Sequence, residues 1–178
     1  MIRIGARPDA GFDDPLRMLS DCHRRIERFL RVFLNVAREA SSDVPLGADE
    51  REALAAALRY FAESAPLHTR DEDESLFPRL RRACAGEARV ALERLDDDHR
   101  IAEDEHAAAE AIGRRWLAEG RLPAEAQAAL VALLESLQER YRAHILLEDT
   151  VVFPFAAGAF EPDELRAMGE EMRARRGL

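Results

Sequence analysis

Aromatic and thiol side chains are scarce in this sequence: 178 residues hold one tryptophan, two tyrosines and two cysteines. Two cysteines, Cys22 and Cys84, make neither a disulfide framework nor a CxxC metal knuckle. They are expected to be reduced and to serve as small buried packing groups, with the cytoplasm as the default compartment. Long hydrophobic runs are missing too, and none approaches the ~20 residues a membrane span needs. The N-terminal stretch MIRIGARPDAGFDD has no apolar core of a secretory signal. Positive charge is not in excess: the net charge is −9 and the arginines are mixed with Asp and Glu. Nucleic acid and anionic membranes are therefore not expected partners. No stretch alternates apolar and polar residues between turn signals, which leaves no candidate strand.

What is abundant is Ala, Leu, Glu and Arg, and these are helix formers. At 47% hydrophobic and 34% charged residues, the chain should fold as one globular domain over 1–178 with a sizeable core. A first helix is expected from Asp14, with Pro15 at its first position, to about residue 40. Leu16, Leu19, His23, Ile26, Leu30, Phe33 and Leu34 form its buried stripe. A second helix should run from Asp49 past Leu80, with Pro66 and Pro78 as kinks or interruptions. Gly86 precedes a third helix from Glu87 to Glu119, and Pro123 opens a fourth that ends between Pro154 and Ala157. A short fifth helix spans about 161–175, with acids near its start and arginines near its end. The fold class is all-α, an antiparallel up-down four-helix bundle over about 14–157 with a short C-terminal helix.

Residues 68–78 read HTRDEDESLFP and residues 144–154 read HILLEDTVVFP, the same skeleton displaced by 76 positions. At that offset Leu16 meets Leu92, Leu19 meets Leu95, and Leu54 meets Leu130. His23 meets His99, Glu27 meets Glu103, His68 meets His144, and Glu72 meets Glu148. A helical hairpin is used twice, so the bundle should carry approximate two-fold symmetry.

Four of the five histidines obey the repeat, one on each long helix. An imidazole on an apolar stripe needs partners for its ring nitrogens. Residues four apart share a helix face, so Glu72 lies with His68 and Glu148 with His144. Four inward imidazoles and two inward carboxylates form a nitrogen-and-oxygen cage suited to octahedral first-row metals. Pairs of metals bridged by carboxylates are a recurring solution inside four-helix bundles. Cys22 is turned about 100° away from His23 and is not expected to contribute.

At these residues the chain resembles the hemerythrin-like family, or HHE cation-binding domain. The resemblance covers about residues 14–157 and rests on His23, His99 and the two HxxxE…FP segments. It implies a bundle around two non-haem iron ions, oxo- or hydroxo-bridged, with manganese or zinc as alternatives. The implied metal ligands are His23, His68, Glu72, His99, His144 and Glu148. Oxygen-carrying members have HxxxH on the third helix, where this chain has Glu103. Four histidines with two glutamates look more like the bacterial iron-centre repair branch, which usually carries an extra N-terminal domain with cysteines. The family includes oxygen carriers, oxygen or nitric oxide sensors, iron sensors and repair proteins.

Glu27 and Glu103, one turn beyond His23 and His99, are candidates for direct ligation or for orienting a ligand. Asp73 and Asp149 are candidates for bonding the outer nitrogen of a ligand histidine, against a solvated surface as the bland alternative. Tyr141 is placed one turn before His144, where its hydroxyl can approach the site. His106, two turns beyond His99, is expected at the core or rim and out of ligating reach. Phe77 and Phe153 should fill the bundle end. The expected function is binding or sensing of a small diatomic such as oxygen or nitric oxide, or iron handling, rather than dedicated enzyme chemistry. Iron-centre repair under nitrosative or oxidative stress and a metal-stabilised scaffold are the alternatives, and a homodimer is an open possibility.

Overall fold

A computed structural model describes residues 9–178. The start of the N-terminal stretch, in which no secretory core was found, lies outside the described residues. Helix α1 (Pro15–Glu39) begins where Asp14 accepts a hydrogen bond from the Arg17 amide and Pro15 takes the first position. The second arm consists of α2 (Ala48–Glu63), α3 (Ala65–Asp71), a π-helical turn (Glu72–Leu76) and α4 (Phe77–Ala83). Helix α5 (Glu87–Glu119) is the third arm, closed by Gly120 in the left-handed conformation at φ 77°. Helix α6 (Ala124–Leu147), a second π-helical turn (Glu148–Val152) and α7 (Phe153–Ala159) make the fourth. The short α8 (Pro162–Ala174) follows.

Contacts run α1 to α2, α2 to α5, α5 to α6, and α6 back to α1, which closes a four-membered bundle. No single helix among the described residues is long and apolar enough to cross a membrane. The offset of 76 recurs in the boundaries themselves: α2 and α6 start at 48 and 124, and the π turns start at 72 and 148.

The interruption expected at Pro66 is present: the second arm breaks at Ser64, whereas α6 runs unbroken through the equivalent positions, where Arg142 replaces the proline. Pro123 caps the fourth arm and Ala124 is its first helical residue.

The π turns explain the spacing of the FP dipeptides. Pro78 and Pro154 have no amide hydrogen, so the α-helical bond back to the fourth preceding carbonyl cannot form there. The preceding Phe77 and Phe153 amides instead reach five residues back, to the carbonyls of Glu72 and Glu148. In a regular helix, Phe77 would lie nine residues beyond His68 and about 180° around the axis. Absorbing one residue in a wider turn brings it back toward the core, where Phe77 is fully buried.

The apolar core is divided into two clusters. One, at the FP end, contains Leu76, Phe77, Leu92, Phe153, Met168 and Met172. The other contains Leu30, Leu34, Leu54, Trp116, Leu130 and Leu134. Polar side chains occupy the layer between them. Helix α8 is tied to both sides of the first π turn, at the end of α3 and in α4, by ion pairs that the other half of the repeat lacks. The buried Asp71 accepts from Arg175 at 2.8 Å and from Arg176 at 2.7 Å, and Arg79 pairs with Glu171 at 2.7 Å. The repeat places Leu147 where Asp71 stands. This clamp fixes the backbone immediately before Glu72.

Candidate metal centre

His23, His68 and His144 are buried, His99 is nearly so, and Glu72 and Glu148 have no solvent exposure. Four arms supply these six side chains, each arm contributing an imidazole and the two π turns adding the carboxylates. Each glutamate is the first residue of its π turn, so the wider helical ring begins where the carboxylate leaves the backbone.

His23 Nε2 lies 3.1 Å from Glu148 and His144 Nε2 lies 3.4 Å from the same oxygen. His68 Nε2 and His99 Nε2 each lie 3.3 Å from an oxygen of Glu72. Two groups of four donors converge: His23, His68, Glu72 and Glu148 in one, and His99, His144, Glu72 and Glu148 in the other. Both carboxylates belong to both groups. All four carboxylate oxygens are buried without a hydrogen-bond partner in the protein. Burying four carboxylate oxygens without hydrogen bonds is costly, so the set fits cations held between them.

The electrostatics of the metal-free cage follow from the same crowding. Burial alone would lower the pKa of His23, but the carboxylates of Asp149 and Glu148 outweigh it and push the pKa up to about 10. Burial is likewise outweighed at His99, by Asp73 and Glu72, giving about 10, and at His144, by Glu148 and Asp98, giving about 9. His68 is held well below its ordinary value by burial and by the neighbouring His23. Burial and Glu148 raise Glu72 to about 7, while His144 and His23 overcome burial and keep Glu148 ionised far below the usual range. Without metal, protons on imidazoles supply the positive charge that the carboxylates require.

The acids following the π-turn glutamates reach across the bundle. Asp73 is hydrogen-bonded to His99 Nδ1 at 3.0 Å, and Asp149 lies 3.3 Å from His23 Nδ1. Asp73 thereby connects one hairpin to an imidazole of the other and sets that ring with Nε2 toward the cage, while Asp149 takes the matching place beside His23 without a hydrogen bond to it. Phe77 stacks on His99 with centroids 5.5 Å apart, and Phe153 on His23 at 5.6 Å, so the two-fold relation extends to the packing. Asp73→Asn should weaken metal affinity about tenfold to a hundredfold while leaving the fold intact. Chelator competition measures this, and an unchanged affinity would reduce Asp73 to a surface group.

Glu27 and Glu103 are exposed and stand outside both converging groups. The Tyr141 hydroxyl lies 2.9 Å from Nε2 of His106, and its ring stands 6.5 Å from that of His144. Asp98 escaped the sequence reading, although it approaches His144 Nδ1 at 3.7 Å. Its place in the run Asp96-Asp97-Asp98-His99 was a visible signal, but its repeat partner is Cys22, so symmetry did not flag it. Cys22 and Cys84 are free and buried.

A hemerythrin HHE cation-binding domain model matches residues 14–156. An uncharacterized protein of Haemophilus influenzae is 27% identical over 169 residues, which is 94% of this chain and 92% of that protein. With the match spanning all four arms of the bundle and all six converging side chains, the chain belongs to the hemerythrin HHE cation-binding domain family.

Proposed function

We propose that the cage holds two iron ions and that the protein uses them to bind or sense a small ligand such as oxygen or nitric oxide. The observation that carries this reading is the sharing of both orphaned carboxylates by two donor groups of matching composition. One group would use His23 and His68, the other His99 and His144, with Glu72 and Glu148 common to both. Imidazole and carboxylate donors suit first-row metals with octahedral preferences. A bound iron pair would supply redox capacity and open positions for an exogenous ligand.

The chain's own residues do the rest. Asp73 holds the His99 imidazole in the orientation that directs Nε2 inward, and Asp149 lies at the matching place beside His23. The apolar clusters above and below exclude water and strengthen every charge interaction between them. A cavity of about 710 Å³, bordered by His23, His68, His99 and His144, gives a small molecule a route to the cage. The free cysteines support a reducing, cytoplasmic setting.

Metal analysis of protein made in iron-replete cells and purified without a nickel column tests the proposal. Two metals per chain, mainly iron, with a near-ultraviolet band of oxo-bridged iron, is the expected result. One metal per chain, or zinc under those conditions, would overturn it in favour of a metal-stabilised scaffold. Delivery of iron to an apo iron–sulfur protein would instead move the role to iron donation and repair.

A further inference from the structure

A cavity borders one face of the cage. The cavity lies between the α2–α3 arm and α5, with Tyr141 and His144 of α6 along its inner wall. On that wall the repeat breaks down. Position 106 corresponds to Leu30 and position 141 to Ala65, so the other half has an apolar pair where this half has histidine and tyrosine. His106 Nε2 is 2.9 Å from the Tyr141 hydroxyl, and the Phe61 ring covers His106 with centroids 4.7 Å apart. The Tyr141 ring stands edge-on to the His144 ring at 6.5 Å. Burial pushes the His106 pKa down to about 4, so the imidazole is neutral near pH 7 and carries one N–H. When that hydrogen is on Nε2, His106 donates to the phenol oxygen and leaves the phenol hydrogen available.

We propose that Tyr141, held by His106, is the hydrogen-bond donor to a small anionic ligand bound at the cage from the cavity side. The pair then selects ligands with a basic outer atom, and the opposite face of the cage offers no equivalent. This rests on the two-metal reading above. Tyr141 is itself partly buried, and a phenol donor shielded from water strengthens binding of a charged acceptor more than the same donor in solvent.

Azide is the probe, titrated into iron-loaded protein with metal content measured in the same samples. Tyr141→Phe keeps the ring and removes only the hydroxyl. It should retain both metals and weaken azide binding about tenfold or more, as expected for a lost hydrogen bond to a charged acceptor. The antisymmetric stretch of bound azide should shift and lose its sensitivity to deuterated solvent. His106→Leu, which installs the residue found at position 30, should also weaken azide binding, and His106→Gln should restore part of it.

Unchanged azide affinity and stretch in Tyr141→Phe with both metals present would overturn the proposal. Loss of metal in Tyr141→Phe would also overturn it, because Tyr141 would then be part of the cage itself. A wild-type chain that takes up no metal would instead sink the two-metal reading, and the donor role with it.

Discussion

Glu148→Gln and Glu72→Gln are each expected to empty the cage of both metals, whereas His23→Ala should remove only one. The difference follows from membership: both carboxylates belong to both donor groups, but each imidazole belongs to one. Glutamine preserves size and removes the negative charge between two cations, so neither position keeps its full donor set. His23→Ala leaves His99, His144, Glu72 and Glu148 in place. Metal content after desalting against a weak chelator reads the outcome directly. Two metals retained in either glutamine variant would mean that carboxylate does not bridge.

The same variants should separate in their metal-free forms. Glu148 is the fixed anion of the apo cage, with Nε2 of His23 and His144 within 3.4 Å. Neutralising it leaves imidazolium groups that must shed protons or remain uncompensated. A cost of about 2 kcal/mol in urea unfolding is expected, below the value for rigid buried pairs because the imidazoles can deprotonate. Glu72 already has its pKa raised to about 7 by burial and Glu148, so its charge is only partly present near neutrality. Glu72→Gln should therefore cost metal-free protein little or nothing. Equal apo stabilities for the two variants would contradict this assignment of charge.

How much of this was legible beforehand can be judged residue by residue. The convergence of these six side chains was readable because the repeat wrote them twice, and two in-register copies of HxxxE carry far more information than one. The third-helix boundaries at Glu87 and Glu119 were readable because Gly86 and Gly120 mark them. The π turns were not, since hydrophobic periodicity assumes a fixed 3.6-residue step and the sequence shows only that a proline follows. Asp71 was missed for another reason. Its partners Arg175 and Arg176 lie over a hundred positions away, and the repeat gives Leu147 at the matching site. Asp98 and the His106–Tyr141 pair share that character. Symmetry flags what two halves have in common, and these groups belong to one half only.

Chelated protein should lose stability as the pH rises from 7 to 9, and metal-loaded protein should lose much less. His23, His99 and His144 have folded-state pKa values of about 10, 10 and 9, against an ordinary value of 6.5. Between pH 7 and 9 the folded metal-free chain therefore holds protons that the unfolded chain has released. Under proton linkage, stability falls with pH wherever the folded state binds more protons. The contribution of these imidazoles is fully present below about pH 6.5 and is lost as the pH rises through about 9 to 10. One such proton gives a slope of about 1.4 kcal/mol per pH unit. The three share one cage and repel one another, so a net loss of about 2 to 4 kcal/mol across the two units is expected. For a chain of this size that corresponds to roughly 5 to 15 °C in melting temperature. Metal ions replace the protons as counter-charge, so loaded protein has no such protons to lose, and its uptake of metal at pH 7 should release them into solution. Below pH 6.5 the direction reverses for His68 and His106, whose lowered values mean the unfolded chain takes up protons first. Melting curves of chelated protein at pH 7 and pH 9 decide the matter. A chelated sample as stable at pH 9 as at pH 7 would show that the empty cage does not hold its charge on imidazolium groups.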